Sequence, residues 1–154
     1  SAFNRERLLD GAISSVISDY DFVLIDCPPS IGLLTVNALT AASEVLVPIQ
    51  CEYLALEGLG QLLSNVERVK THLNKDLHIS TIALVMFDAR TKLAGQVVEE
   101  IRSHFGERVC QQTVPRSVRL SEAPSYGQPI IYYDSSSRGA IAYRSLAKEI
   151  TGGA

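Results

Sequence analysis

The sequence predicts an α/β fold, in which a mostly parallel sheet is the middle of three layers and helices cover both of its faces. Short apolar runs rich in β-forming residues alternate with amphipathic stretches of ten or more residues, long enough for crossover helices between parallel strands. The first run, Phe22–Asp26, is apolar until its final carboxylate, which is typical of a strand covered on both faces. Given 154 residues and 46% hydrophobic content, we expect residues 1–154 to form a single domain.

Five helices are predicted from apolar residues that recur at three- and four-residue intervals. Asn4 is placed to cap the first helix, and Gly106 is placed to stop the fourth. The predicted helices are residues 5–17, 34–42, 56–73, 94–105 and 140–150.

Four strands are predicted from the apolar runs that separate these helices. They are residues 22–26, 44–49, 79–86 and 108–114. Residues 115–139 break the pattern, because prolines, glycines and the polar run 134–138 indicate a long surface segment. Within that segment we expect a short edge strand at residues 130–133.

Charge and composition exclude several classes of protein. The net charge of −3 gives no overall attraction to nucleic acid or anionic membranes, so such binding requires a local patch. No apolar run reaches the roughly 18 residues of a membrane span, and the first residues lack the order of a signal peptide. We therefore expect a cytoplasmic protein with no membrane partner. Cys27, Cys51 and Cys110 are widely spaced, which favours buried or partly buried thiols over a zinc site or disulfides.

Asp26 is the first candidate for a functional residue. Ligands of open α/β sheets bind at the carboxyl ends of the strands, and Asp26 ends a predicted strand. A metal or phosphate site is one interpretation. The other is that an aspartate before Cys-Pro-Pro simply starts a turn.

Several blocks of sequence carry a resemblance to a known family. They are DFVLIDCPPSIGLLTVNAL at 21–39, VPIQCEY at 47–53, ALEG at 55–58, FDART at 87–91, VPRSVRLSEAP at 114–124 and DSSSRG at 134–139. In this order they resemble the ParA/Soj family of chromosome and plasmid partitioning ATPases, and the short Soj-like chromosomal branch fits best. The resemblance covers essentially the whole chain, whereas the related MinD and nitrogenase iron protein groups match residues 117–124 less closely.

The resemblance implies a P-loop NTPase fold of the deviant Walker class. It further implies a protein that uses ATP and Mg²⁺, forms an ATP-dependent homodimer, binds DNA nonspecifically on the nucleoid and responds to a ParB/Spo0J-like partner. Phosphoryl transfer in this class needs a glycine-rich loop and lysines. No Gly-Lys pair occurs in the 154 residues. We therefore expect the C-terminal portion of such an ATPase, incomplete at its N-terminus, which binds no ATP or Mg²⁺ and hydrolyses no ATP by itself.

The resemblance also implies roles for individual residues near the first strand. Asp26 matches the Walker B carboxylate, a catalytic residue that holds Mg²⁺ through a water. The second switch loop, which senses the γ-phosphate, matches Cys27, Pro28, Pro29 and Ser30. If the P-loop strand is absent, the strand at 22–26 should have an unpaired edge beside an apolar groove.

Further roles fall in the second half of the chain. Asp88 matches the position that faces adenine, and Pro115 with Arg116 matches the loop against the base; alternatively, Asp88 caps the turn after a strand. Arg90 and Arg119 match DNA-contacting arginines, within a wider set of loop cations that adds Lys92, Arg116 and Arg138. Isolated surface arginines are otherwise only solvated.

Two other functional classes fit the sequence. One is a naturally truncated, non-catalytic ParA-like interaction module. The other is an unrelated flavodoxin-like or response-regulator-like domain, in which Asp26 would lie in an acidic pocket; this alternative leaves residues 115–124 unexplained.

Overall fold

The computed structural model describes residues 4–28 and 30–152. The chain divides into two compact units, the first within residues 1–45 and 60–80 and the second within residues 46–59 and 81–154. Nine elements are named here in chain order. They are α1 (Leu8–Ile13), α2 (Leu33–Ala41), β1 (Glu44–Gln50), α3 (Leu54–His72), β2 (His78–Val85), α4 (Lys92–Phe105), α5 (Val118–Glu122), α6 (Ile130–Tyr133) and α7 (Arg138–Ile150).

The predicted α/β class with a parallel sheet is confirmed. β1 and β2 are hydrogen-bonded neighbours joined by α3, which is the βαβ arrangement expected of parallel strands. Ile82, Ala83 and Leu84 are buried in succession along β2, so this strand is covered on both faces.

The strand predicted at residues 22–26 is wrong. Residues 22–28 have no strand structure, and among the described residues their backbone N–H groups make no inter-strand hydrogen bonds. Phe22 is 64% exposed and Leu24 is 89% exposed. The sequence signal was real, because the run is apolar and β-prone, but a strand needs a neighbouring strand to form a ladder.

The strand predicted at residues 108–114 is replaced by two isolated parallel bridges, Ile82 with Val109 and Phe87 with Pro115. Between them, the Gln111 and Gln112 N–H groups donate to the Glu149 carboxylate of α7, the latter at 3.0 Å. Hydrogen bonds to β2 persist on both sides of these residues, from Cys110 N to Ile82 O at 2.9 Å and from Val114 N to Leu84 O at 2.8 Å.

The edge strand predicted at residues 130–133 is also wrong, because these residues form α6. Pro129 occupies the N-cap position, and its carbonyl accepts from the N–H groups of Tyr132 and Tyr133 at 3.0 Å. Ile130 packs with Ala123 and Ala140 in a small apolar cluster. A proline at the helix start and an apolar pair three residues apart are the signals that favour the helix.

Two asparagine side chains link separate segments of the first unit. The Asn37 side chain accepts from Leu9 N at 3.1 Å and donates to Arg5 O at 2.8 Å. The Asn74 amide donates to the carbonyls of Leu39, Thr40 and Ala42 at the end of α2. The helix predicted at 5–17 is divided into α1 and flanking 3₁₀ turns at Arg5–Arg7 and Ile17–Asp19. Asn4 makes no capping bond, since its φ of 84° turns it away from N-cap geometry.

Two helices of the second unit begin with a side-chain N-cap. Thr91 Oγ1 accepts from Ala94 N at the start of α4, and Ser137 Oγ accepts from Ala140 N at the start of α7. The predicted stop at Gly106 is confirmed, with a φ of 56° that a glycine adopts without strain. In residues 4–28 and 30–152, no helix combines the length and hydropathy that a membrane span requires.

Candidate functional site

The carboxyl end of β2 brings Asp88 next to the Pro115–Arg116 segment. Phe87 N donates to Val114 O at 3.0 Å, and Arg116 N donates to Phe87 O at 3.0 Å. These bonds place two predicted parts of the adenine site on adjacent segments of one edge.

The Asp88 carboxylate is bound by Arg90 two residues later. Arg90 donates from Nε to Oδ1 at 2.9 Å and from Nη2 to Oδ2 at 2.7 Å, while its backbone N–H donates to Oδ1 at 3.1 Å. The hydrogen bonds from Arg90 hold the pKa of the Asp88 carboxyl well below its usual range. The turn-capping alternative for Asp88 is therefore observed, and the adenine contact stays a prediction.

A second ion pair lies on the same edge. Arg116 Nη2 donates to Glu52 Oε1 at 2.9 Å, and the Arg116 charge further lowers the pKa of Asp88. Glu52, which follows β1, was not predicted from the sequence, because its partner is 64 residues away. The edge thus carries alternating charges from Glu52, Arg116, Asp88 and Arg90.

Arg119 lies on α5 between two carboxylates. Its Nη1 donates to Glu122 Oε2 at 3.2 Å, and its Nε lies 3.4 Å from Asp134 Oδ2. The Tyr133 hydroxyl donates to the same Glu122 oxygen at 3.2 Å, and its ring stacks on Tyr126 with 5.1 Å between centroids. The spacing of Arg119 and Glu122 on a helix could have revealed one pair, whereas Asp134 comes from a separate segment.

Asp26 belongs to the first unit and is exposed. Among the described residues, its carboxylate has no ion-pair or hydrogen-bond partner, and no group of three or more His, Cys, Asp or Glu forms a metal cluster. It lies in a segment without regular secondary structure rather than at the end of a strand.

The predicted switch loop follows Asp26. Cys27 and Pro28 are exposed, and the Ser30 carbonyl accepts from Thr35 Oγ1 at 2.7 Å. Pro29 lies outside the described residues. Local desolvation, and then the Asp26 charge, raise the pKa of the Cys27 thiol, which disfavours a nucleophilic thiolate.

The three cysteines are free, as expected, but their burial differs from the prediction in one case. Cys51 and Cys110 are buried, and burial raises the pKa of both thiols. Cys27 is exposed, because the segment that contains it is not packed into a sheet.

The comparisons with known proteins agree with the blocks of sequence described above. A family profile described as "AAA domain" matches residues 1–79. The chain is 56% identical over 147 residues to the sporulation initiation inhibitor protein Soj of Bacillus subtilis and 53% identical over 147 residues to the chromosome partitioning protein ParA of Myxococcus xanthus. Each match covers 96% of this chain, and the chain spans 58% and 52% of the lengths of these relatives.

A solved structure extends the similarity to the fold. Cobyrinic acid a,c-diamide synthase from Mycobacterium smegmatis, with bound ADP and magnesium, superposes with a TM-score of 0.77 at 34% identity. The alignment covers 99% of this chain and 56% of the synthase chain. This neighbour has the P-loop NTPase fold, so the predicted fold class is confirmed. The chain therefore belongs to the AAA-domain family, and within it to the ParA/Soj group.

Proposed function

We propose that this chain is part of a chromosome or plasmid partitioning ATPase of the Soj/ParA kind. The observation that carries the proposal is the identity above 50% to Soj and ParA proteins across 96% of the chain. The 154 residues contain no Gly-Lys pair, so the phosphate-cradling loop has to come from other sequence. ATP and Mg²⁺ are the cofactors of the assembled protein, and the chain alone hydrolyses no ATP.

In the assembled protein, Asp26 would be the carboxylate that holds Mg²⁺ and serves catalysis. Its exposed position and its lack of a partner in the described part of the chain suit this role, because Mg²⁺ keeps most of its waters when it binds to proteins. Cys27, Pro28, Pro29 and Ser30 form the loop that responds to the γ-phosphate. When bound, the metal supplies charge neutralisation for phosphoryl transfer.

The adenine base lies against the edge formed by Asp88, Pro115 and Arg116. The carboxylate has room for a further hydrogen bond on Oδ2, because each oxygen offers two acceptor sites and Arg90 uses both on Oδ1 but only one on Oδ2. The bonds between Phe87 and the 114–116 segment hold this edge rigid.

Arg90 and Arg119 bind the backbone phosphates of DNA without regard to sequence. Their side chains are 86% and 57% exposed, which leaves them accessible to a large polyanion. Because the chain has a net charge of −3, binding depends on this local surface and falls steeply with salt. An ATP-dependent homodimer strengthens binding by presenting two such surfaces, and a ParB/Spo0J-like partner stimulates hydrolysis in the nucleoid-containing cytoplasm.

DNA affinity measured by fluorescence anisotropy over a range of salt concentrations tests this proposal. Arg90→Ala and Arg119→Ala should each weaken binding and reduce the slope of log K against log salt by about one. Arg108→Ala is the matched control, since Arg108 is an exposed arginine outside the proposed surface. Equal effects of all three substitutions would contradict the assignment of the surface.

A non-catalytic interaction module is the second candidate. It is favoured by the absence of a Gly-Lys pair and by the exposed apolar side chains of Phe22 and Leu24. One experiment distinguishes the two candidates. If the chain is part of an ATPase, joining it to a P-loop segment should give ATP hydrolysis that depends on Asp26. A non-catalytic interaction module should give none.

A further inference from the structure

The Arg119 side chain is 57% exposed, but its guanidinium is already paired with carboxylates of the same chain. Two of its nitrogens face carboxylates, Nη1 on Glu122 and Nε on Asp134. A guanidinium recognises carboxylate and phosphate with the same planar set of N–H donors, so these carboxylates occupy positions that a DNA phosphate would take.

Both carboxylates make further hydrogen bonds besides their contacts with Arg119. The Tyr133 hydroxyl donates to Glu122 Oε2, and Tyr133 stacks on Tyr126. Asp134 lies in the turn before α7, where its carboxylate accepts from the Ser136 hydroxyl at 3.3 Å and its backbone carbonyl accepts from the Ser137 hydroxyl at 2.8 Å. Glu122 and Asp134 therefore stay close to Arg119 at little further cost in entropy.

The ion pairs of Arg119 are weak enough for its guanidinium to exchange a carboxylate for a phosphate. The side chains of Arg119, Glu122 and Asp134 are 57%, 39% and 29% exposed, and ion pairs this exposed contribute little to stability. Such pairs are weak enough for a phosphate to displace, yet the carboxylates also repel any phosphate that approaches.

We propose that Glu122 and Asp134 are internal phosphate mimics that compete with DNA for Arg119. This inference rests on the proposed DNA role of Arg119 and adds the residues that limit its affinity. DNA binding at this position is an exchange, in which a backbone phosphate replaces a carboxylate on the guanidinium.

The test measures DNA affinity of the 154-residue chain at low ionic strength after single neutral substitutions. Glu122→Gln and Asp134→Asn should each raise affinity about two- to fivefold, which corresponds to one exposed ion pair. Glu107→Gln is the control, because it changes the net charge equally and Glu107 has no ion pair in the described part of the chain. In an Arg119→Ala background, Asp134→Asn should give no more than the control gain.

The outcomes separate the two proposals. If Arg119→Ala leaves affinity unchanged, the DNA role of Arg119 is wrong and the inference falls with it. If Arg119→Ala weakens binding but both neutral substitutions only match Glu107→Gln, the DNA role stands and the competition is refuted. Because Glu122 and Asp134 lie on different segments, misfolding of one variant, detected by circular dichroism, leaves the other as a complete test.

Discussion

The Asp88 carboxylate and the Arg90 guanidinium form a two-point ion pair, with Nε to Oδ1 at 2.9 Å and Nη2 to Oδ2 at 2.7 Å. The pair closes the turn between β2 and α4 and neutralises Arg90 at the surface. It thereby joins a residue proposed to face adenine to a residue proposed to face DNA, so a change at either one reaches the other.

This pair predicts an unusual response of Asp88 to acid. Because its pKa in the folded chain is lowered by Arg90, its contribution to stability is present above the ordinary aspartate pKa of about 3.9 and is lost only as pH falls through the lower folded value. An NMR titration should show the Asp88 carboxyl still ionised at pH values where an ordinary aspartate protonates. In Arg90→Gln the titration should move up toward the ordinary value. An unshifted Asp88 in the unsubstituted chain would contradict the geometry.

Gly139 packs closely against Leu120 of α5, the helix that carries Arg119, so we expect a larger residue at position 139 to disturb this packing. A Cβ at Gly139 would lie 2.6 Å from Leu120 Cγ, which is closer than two carbon atoms can approach. Gly139→Ala should therefore destabilise the fold by about 1–3 kcal/mol, measured by urea unfolding, because Leu120 and α5 must shift.

The matched control is Gly95→Ala in α4, where no atom lies within 4 Å of the added Cβ. There the alanine should stabilise the helix by about 0.5–1 kcal/mol through backbone entropy. Destabilisation of equal size at both glycines would show that Leu120 is not the cause.

We predict rapid hydrogen exchange at the backbone amides of residues 22–25. Their amides have no ladder partner among the described residues, so they should exchange at nearly the rate of an unfolded chain. In a chimera that supplies a neighbouring strand, the same amides should become protected. Slow exchange of these amides in a monomer of the 154-residue chain would mean that the segment is already paired.

Much of the fold could be predicted from periodicity, because local sequence decides most helix and strand positions here. β1, β2, α4 and α7 lie within a few residues of their predicted bounds, and Gly106 ends α4 as expected. These elements combine an apolar stripe with suitable capping or stop residues.

The wrong strand predictions have a common physical cause, which is that strand formation depends on contacts between residues far apart in the sequence. Phe22–Asp26 has the composition of a strand but no neighbouring strand among the described residues, and residues 108–114 pair with β2 only at separate points, with the Gln111 and Gln112 N–H groups bound to Glu149. Residues 130–133 have β-forming side chains, yet Pro129 and the packing of Ile130 favour a helix.

The candidate site shows the same limit. The motif resemblance implied roles for Asp88, Arg90 and Arg119, whereas most of their charged neighbours depend on tertiary contacts. Glu52 lies 64 residues from Arg116, and Asp134 reaches Arg119 from beyond α6. A sequence pattern can identify a candidate cationic residue, whereas only the folded structure shows which carboxylate forms an ion pair with it.

ATP turnover tests the central claim most directly. It would be measured on the 154-residue chain and on a chimera in which the part of Bacillus subtilis Soj without a counterpart here is placed ahead of it. We predict no hydrolysis by the chain alone, Mg²⁺-dependent hydrolysis by the chimera, and a loss of about a hundredfold in the chimera with Asp26→Asn. Hydrolysis by the chain alone that disappears with Asp26→Asn, or hydrolysis by the chimera that survives this substitution, would contradict the account.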